Sequence, residues 1–231
     1  AEYAKERRVF VPVNVMPKLL IKAFLSSEDK NFYAHSGIDI YSLVNAAVSN
    51  LLNFYNNKRP RGASTITQQV AKNFLLTNEL SLERKIKEAI LAFRIEKAFS
   101  KNRILELYLN EIYLGMGSYG VAAAALNYFD KSLDELTVSE AAYLAALPKA
   151  PNNYHPFRKR GAAIARRNWV IKQMQKNGFI SERTMTEAQS SELVIIPKSE
   201  TEFVDAKYFV EDVRRELVAK FGSDKLYGGG L

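Results

Sequence analysis

A nearly continuous series of helical stretches, most of them opening on a residue that can cap a helix, constrains the fold of this chain most strongly. Helices are predicted over 17–24, 39–55, 64–75, 81–99, 137–147, 162–177 and 181–190. Only 193–197 and Phe203 favour β-strand. The predicted fold class is therefore mainly α.

Composition limits the kinds of binding site and partner that this chain can have, but it does not select one of them. The 231 residues are 47% hydrophobic, which is ample for a sizeable core. The absence of cysteine excludes disulfides and thiolate metal sites, and two histidines far apart in sequence cannot form a multi-histidine metal site. The net charge of +8 predicts an acidic partner, for which nucleic acid, anionic lipid and pyrophosphate all qualify.

The first motif, Ser26-Ser-Glu-Asp-Lys-Asn-Phe-Tyr-Ala-His-Ser-Gly-Ile38, places an acid at the end of a helix. Pro17 suits the first helical turn, and Glu28 falls one turn after Phe24 on the apolar face. The carboxylate of Glu28 is therefore expected to be partly desolvated. For this motif alone, a surface cluster that caps a helix exit is the alternative.

The second motif, Arg61-Gly-Ala-Ser-Thr-Ile-Thr-Gln-Gln-Val-Ala-Lys-Asn73, combines a glycine, small hydroxyls and adjacent amides at a helix start. The free backbone amides after Ser64 form a site of the kind that binds phosphate, and Lys72 follows two turns later. A capped surface helix is the alternative. Such polar material is poorly suited to a plain core helix, because each buried polar group needs a partner.

The third motif, Glu83-Arg-Lys-Ile-Lys-Glu88, puts Arg84 and Glu88 on one helix face with Lys85 beside them. Either a phosphate site or a solvated, ion-paired face accounts for these charges. The helix that carries the motif has a predicted buried stripe of Ile86, Ile90, Phe93 and Ala98.

Two further motifs are expected to support the fold. In Lys101-Asn-Arg-Ile-Leu-Glu-Leu-Tyr-Leu-Asn110, Glu106 lies among leucines, and a buried carboxylate there needs a cationic or donor partner. Gly115-Met-Gly-Ser-Tyr-Gly120 predicts a turn that opens a helix of small residues. No strand precedes that turn in a βαβ unit, which argues against dinucleotide binding.

The uncharged stretch 40–57 predicts either a helix on a membrane surface or an ordinary core helix. Its asparagines make it too polar to cross a membrane, but it ends in Phe54 and Tyr55 and continues into Lys58 and Arg59. No secretory signal or transmembrane helix is visible in the sequence.

Together the five motifs resemble, in order, those of the bacterial peptidoglycan glycosyltransferases, glycosyltransferase family 51. Members occur as monofunctional enzymes and as the N-terminal catalytic domain of class A penicillin-binding proteins. The resemblance covers about 8–190 and implies a lysozyme-like helical lobe plus a small membrane-facing lobe at about 39–61. It further implies a glycosyltransferase domain over 1–190 and a linker over 191–231, toward a transpeptidase domain absent from this chain, as is the anchor helix.

The implied reaction is polymerisation of lipid II at the outer, periplasmic face of the bacterial cytoplasmic membrane. Glu28 is implied to be the base that takes the proton of the acceptor's 4-hydroxyl. The oxygen of that hydroxyl then displaces undecaprenyl pyrophosphate with inversion, by analogy with inverting glycosidases. The implied partners are lipid II, the lipid-linked glycan chain, the membrane surface and moenomycin-type inhibitors, with no nucleic acid.

Glu88 is the second catalytic carboxylate that the resemblance implies. It would orient Arg84 or Lys72, or hold a divalent metal, Mg or Mn, on the pyrophosphate, and no organic cofactor is expected. The residues expected to bind pyrophosphate or sugar are Ser64, Thr65, Gln68, Gln69, Lys72, Asn73, Arg84 and Lys85. Those expected to support the motifs are Asp29, Phe32, His35, Gly37, Gly62, Glu106 and Asn110.

Two departures from the family pattern bear on the site. Leu80 stands where many members have arginine, so a phosphate contact is missing or is supplied by Lys85 or Lys87. The loop before Gly62 is longer than usual, with 56–58 as the extra length.

Two other functions compete with this interpretation. A lysozyme-like hydrolase would cleave glycan strands with the same two carboxylates, and a basic helical domain would bind nucleic acid with steep salt dependence. The series of motifs, rather than the charge, favours the glycosyltransferase.

Overall fold

The computed structural model describes residues 10–55, 62, 64–75, 82–196, 215–218 and 220–221. Residues 10–196, with the gaps just given, belong to one compact unit, and the two short C-terminal segments, both helical, belong to another. Within the first unit the described residues form nine α-helices and no β-strand, which confirms the mainly-α class. The strand predicted at 193–197 does not form over its described part, and Phe203 lies outside the described residues.

Eight of the nine helices in the described residues were predicted from the sequence in this order, whereas the helix over Lys101–Glu111 was not predicted. The nine are α1 (Lys18–Glu28), α2 (Ile40–Tyr55), α3 (Ile66–Leu75), α4 (Leu82–Ala98), α5 (Lys101–Glu111), α6 (Val121–Phe129), α7 (Val138–Ala146), α8 (Arg160–Lys176) and α9 (Glu182–Ser190). No helix among the described residues is both long and apolar enough to cross a membrane.

Side-chain caps set several of these helix starts. Asp39 accepts hydrogen bonds from the backbone N–H of Ser42 at 2.9 Å and from its hydroxyl at 2.6 Å, and so caps α2 as predicted. For α3 the predicted cap, Ser64, is wrong by one residue. Thr65 Oγ1 accepts from Gln68 N at 3.1 Å while Gln68 Oε1 accepts from Thr65 N at 3.0 Å. This reciprocal pair satisfies two backbone donors at once and leaves the Ser64 hydroxyl for other contacts.

Helix α7 lies at the centre of the core and packs against both α1 and α8. Ala141, Ala142, Ala145 and Ala146 are fully buried in it, and such small side chains let the neighbouring helices approach closely. Arg167 of α8 is also buried and ties three helices together. It donates to Ser139 Oγ and to the carbonyl oxygens of Ser191 and Gln189, at 2.9 to 3.0 Å.

Helix α4 turns the opposite face inward from the one predicted. Ile86, Ile90 and Phe93 are 61%, 50% and 48% exposed, and Ala98 is exposed as well. Ala92 and Glu88 are buried instead, at 0% and 2%. The buried-stripe prediction is therefore wrong, because it assigned the apolar side of α4 to the interior, whereas α3 packs against the side that carries Glu88.

Buried polar groups of α5 hold the segment before α1. Asn110 accepts from Val11 N at 2.7 Å and donates to Val11 O at 2.8 Å. Glu106 is 9% exposed, accepts from Val13 N at 2.8 Å, and forms an ion pair with Arg103. The prediction that a buried Glu106 needs a cationic or donor partner is confirmed, since it has one of each.

Candidate active site

Glu28 is the last residue of α1, as the sequence predicted, and its side chain is half-buried at the edge of a cleft. Gln69 Nε2 donates to its Oε2 at 2.9 Å, and Ser27 Oγ donates to its Oε1 at 3.3 Å. Burial raises the pKa of Glu28 above its ordinary value. The Gln69 hydrogen bond, the Arg166 charge, the Ser27 hydroxyl and the Lys149 charge offset part of that rise.

The neighbouring acid, Asp29, is bound into the structure rather than free to react. His35 Nε2 lies 3.0 Å from both carboxylate oxygens, and His35 Nδ1 accepts from Gly37 N at 3.1 Å. Since Nδ1 is the acceptor, Nε2 carries the proton donated to Asp29. Asp29 Oδ2 also accepts from Ile66 N at 3.0 Å, so the residue after Glu28 holds the first turn of α3.

Gly37 and Phe32 complete this support. Thr65 Oγ1 donates to Gly37 O at 2.6 Å. Gly37 has φ +96°, and a Cβ there would lie 3.0 Å from the backbone of Ala92, so the position requires glycine. The Phe32 ring is fully buried, and Lys101 Nζ lies over it at 4.5 Å.

A second group of charged residues surrounds Glu88, whose side chain is 2% exposed. Arg84 Nη1 lies 3.1 Å from its Oε1, and Lys85 Nζ lies 2.5 Å from its Oε2. Lys85 Nζ also donates to Ser64 Oγ at 2.8 Å. We call Ser64, Arg84, Lys85 and Glu88 the cation cluster. In this cluster one buried carboxylate holds two positively charged side chains beside the start of α3. Such an arrangement is suited to binding a phosphate-like anion.

One cleft of about 340 Å³ contains both Glu28 and Ser64. Gly62 and Thr65 also line it, and α2 contributes Tyr41, Ser42 and Asn45. Helix α8 contributes Trp169 and Gln173, and Asn177 at its C-cap joins them. The sequence analysis missed the α2 and α8 residues. The available signals were the sole tryptophan of the chain and the four-residue spacing from 169 to 173 to 177.

Other predicted site residues, among them Arg84, Lys85 and Glu88 of the cation cluster, do not line this cleft. Glu88 pairs with Arg84 and Lys85 and not with Lys72, which is exposed on α3 together with Asn73. Gln68 is buried as part of the α3 cap, and Gln69 contacts Glu28 from that helix. Leu80 and 56–58 lie outside the described residues.

Comparisons with known proteins agree on one family. A family model described as transglycosylase matches residues 1–175. The chain is 53% identical to Penicillin-binding protein 1A of Rickettsia prowazekii (strain Madrid E) over 231 residues, covering 100% of this chain and 29% of the relative. It is 41% identical to Penicillin-binding protein 1A of Escherichia coli (strain K12) over 229 residues, covering 99% of this chain and 27% of that relative. The chain thus spans less than a third of these curated relatives.

A solved structure is similar over nearly the whole length of this chain. The 2.6 Å crystal structure of Penicillin-Binding Protein 1A from Haemophilus influenzae matches with a TM-score of 0.53 and 30% sequence identity. The match covers 97% of this chain and 23% of that one.

Proposed function

This chain belongs to the transglycosylase family, and on that premise we propose that it is a peptidoglycan glycosyltransferase that polymerises lipid II into glycan strands. The observation that carries the proposal is the shared cleft. Half-buried Glu28 lines it together with Ser64, whose hydroxyl is bonded to Lys85 of the cation cluster. A base that lines the cleft, with cations held next to its Ser64 wall, is the arrangement that displacement of a pyrophosphate by a sugar hydroxyl requires.

Glu28 is the proposed general base. It takes the proton of the acceptor's 4-hydroxyl as that oxygen attacks the anomeric carbon of the lipid-linked chain. Gln69 fixes the carboxylate through its 2.9 Å hydrogen bond, so the base is oriented before the acceptor arrives. Proton transfer by a positioned group of this kind contributes about 10²- to 10⁴-fold in rate.

The cation cluster is the proposed site for the departing undecaprenyl pyrophosphate. Lys85 and Arg84 supply charged donors for the developing negative charge, and Ser64 supplies a hydroxyl. Glu88 orients both cations from beneath. Lys72 and Asn73, exposed on α3, are proposed contacts for parts of the substrate that extend beyond the cleft.

A divalent metal does not fit the protein side of this cluster. Both carboxylate oxygens of Glu88 already face cations. Across the described residues no group of three or more histidine, aspartate and glutamate side chains is placed to hold a metal ion. We therefore assign Glu88 to orienting Arg84 and Lys85.

The exposed apolar residues of α2 and α4 support placement at a membrane surface. On α2 they are Ile40, Tyr41, Leu43, Val44, Val48 and Leu51, each at least 49% exposed. On α4, Ile86, Ile90 and Phe93 are exposed as well. Apolar faces of this kind on amphipathic helices bind the interfacial layer of a bilayer. The proposed location is the periplasmic face of the cytoplasmic membrane, where moenomycin-type inhibitors are proposed to bind the same cleft.

A lysozyme-like hydrolase is less well supported by this geometry. Hydrolysis with two carboxylates requires both to flank the scissile bond. Here Glu28 faces the cleft, whereas Glu88 is buried between two cations and Asp29 is bound to His35 and Ile66.

The test is detection of polymer from labelled lipid II in detergent, with wild-type and Glu28→Gln proteins side by side. We expect long glycan from the wild type and none from the folded variant. A wild-type protein that makes no polymer but solubilises purified cell walls would support the hydrolase instead.

A further inference from the structure

The α8 side of the cleft carries residues that the proposed reaction does not use. Trp169, Gln173 and Asn177 follow one another at four-residue intervals, and all three line the cleft that contains Glu28. Residues four apart share a helix face, so the three form one row, which we call the α8 stripe. None of them is charged, which distinguishes the stripe from the cation cluster.

Trp169 presents a fixed aromatic surface. It is 40% exposed, although large aromatic rings are usually well covered in folded proteins. The Arg166 guanidinium lies 4.0 Å from the ring centroid, and its Nη2 donates to Ser27 Oγ at 3.4 Å. Arg166 thus stacks on the ring and connects it to the residue preceding Glu28. The exposed part of the ring is therefore preorganised for a ligand in the cleft.

The two amides of the stripe have unused hydrogen-bonding capacity. Gln173 is half-buried, and its side chain has no hydrogen-bond partner among the described residues. Asn177 Nδ2 donates to Ser26 Oγ at 3.1 Å, and its Oδ1 has no partner within the described part of the chain. Each amide can both donate and accept, so a ligand with hydroxyl and amide groups would satisfy them.

An aromatic surface beside uncharged amides matches the chemistry of an N-acetylated pyranose. The C–H face of a sugar packs on an aromatic ring, while its hydroxyl and acetamido groups exchange hydrogen bonds with amide side chains. A phosphate group would instead need a group of cations, which Arg84 and Lys85 form on the Ser64 side. Arg166, the cation beside the stripe, is instead stacked on Trp169 and donates to Ser27.

We infer that the α8 stripe is a saccharide subsite that holds the N-acetylhexosamine of the acceptor lipid II beside Glu28, with Trp169 as its platform. The inference rests on the proposed function, because Glu28 acts there on the acceptor hydroxyl. It assigns acceptor recognition to α8 and leaving-group recognition to α3 and α4.

A binding measurement tests the subsite without any turnover. Trp169 is the sole tryptophan, so the intrinsic fluorescence of the whole chain reports on this position. We expect a saturable change in emission on titration with the β-1,4-linked tetramer of N-acetylglucosamine and none with maltotetraose, which lacks acetamido groups. Gln173→Ala should raise the Kd of the tetramer about threefold to tenfold, the effect of one lost hydrogen bond.

A kinetic measurement tests the role of the subsite in the reaction. Trp169→Ala should raise the lipid II concentration at half-maximal rate about tenfold with kcat nearly unchanged, because the lost contact is present in ground state and transition state alike. Trp169→Phe should retain most of the wild-type affinity, which separates loss of the platform from loss of the fold. Phe157→Ala is the matched control, since Phe157 is 52% exposed and does not line the cleft.

The outcomes separate the two proposals. If the chain makes polymer but the tetramer leaves the emission unchanged, the subsite is overturned and the glycosyltransferase stands. If the chain makes no polymer but the tetramer changes the emission and Gln173→Ala weakens that change, saccharide binding stands and the proposed function fails. Equal half-saturation by Trp169→Ala and wild type would overturn the acceptor role.

Discussion

Gln69 joins the base to the core: its Nε2 donates to Glu28 Oε2 at 2.9 Å, and its Oε1 accepts from the hydroxyl of Tyr108 at 3.4 Å. Tyr108 is fully buried, and burial, with the charges of Glu28 and Asp29, raises the pKa of its hydroxyl well above the ordinary value. The phenol therefore stays a neutral donor, which fixes the Gln69 amide with its N–H groups toward Glu28.

Removal of the hydrogen bond from Gln69 to Glu28 should change the pH dependence of the reaction. The Gln69 hydrogen bond lowers the pKa of Glu28 against the larger effect of burial, so Gln69→Ala should raise that pKa further. A base must be ionised to act, so the acidic limb of the kcat/KM profile should move to higher pH. Gln175→Ala makes the same substitution on α8 and should leave the acidic limb of the profile at its wild-type pH. An unchanged limb in Gln69→Ala would count against Glu28 as the base.

Because its pKa is raised, Glu28 should also destabilise the folded protein at pH values where its carboxyl is ionised. A carboxyl whose folded pKa lies above its ordinary value of 4.5 favours folding fully below that value and loses this contribution as the pH rises through the folded pKa. Glu28→Gln should therefore melt at a higher temperature than wild type at pH 7.5, with a smaller difference near pH 4. Glu187→Gln, at an exposed position in α9, should show no such trend in calorimetry.

The cation cluster should behave as one unit in a double-mutant cycle. Lys85→Ala and Glu88→Ala should each reduce kcat about 10²- to 10³-fold. Lys85→Ala removes a donor to the leaving group, and Glu88→Ala removes the carboxylate that holds this donor in place. The double variant should be little worse than either single one. The ion pair of Arg183 and Glu187, exposed on α9, gives the matched control cycle, and its variants should keep wild-type kcat. Full additivity in the Lys85–Glu88 cycle would contradict the arrangement.

Membrane association should depend on α2 and α4 together. Val48→Glu and Ile90→Glu should each weaken co-sedimentation with vesicles that contain anionic lipid, because burial of one such side chain contributes about 1.5 to 3 kcal/mol. Val194→Glu is the matched control, since Val194 is 57% exposed outside both helices. Binding by Ile90→Glu equal to wild type would remove α4 from the proposed membrane-facing surface.

Two glycines in the turn before α6 should differ sharply in tolerance. Gly120 has φ +78°, and a Cβ there would lie 2.4 Å from Asn110 O, whereas Gly117 has φ +69° and open space around it. Gly117→Ala should cost only the backbone strain, about 1 to 2 kcal/mol. Gly120→Ala adds a clash with α5 and should lower Tm by a clearly larger amount. Similar melting temperatures for the two variants would contradict this packing.

The sequence by itself determined the local features of this protein. Helix starts at Asp39 and Thr137 were predicted from side chains that cap within three residues, and Glu28 was placed at a helix end from spacing alone. Such interactions span a single turn, so the neighbouring residues suffice to predict them. The order of the motifs, also a property of the sequence alone, was enough to indicate the family.

Tertiary structure decided which face of each helix points inward and which distant residues meet. The periodicity of α4 assigned Ile86 to the core, but packing against α3 buried Glu88 instead, and the apolar face became exposed. Lys85 meets Ser64 across 21 positions, and Arg166 of α8 meets Ser27 across 139. Periodicity shows that a helix has two unlike faces, but burial depends on what each face packs against, and only the folded chain supplies those neighbours.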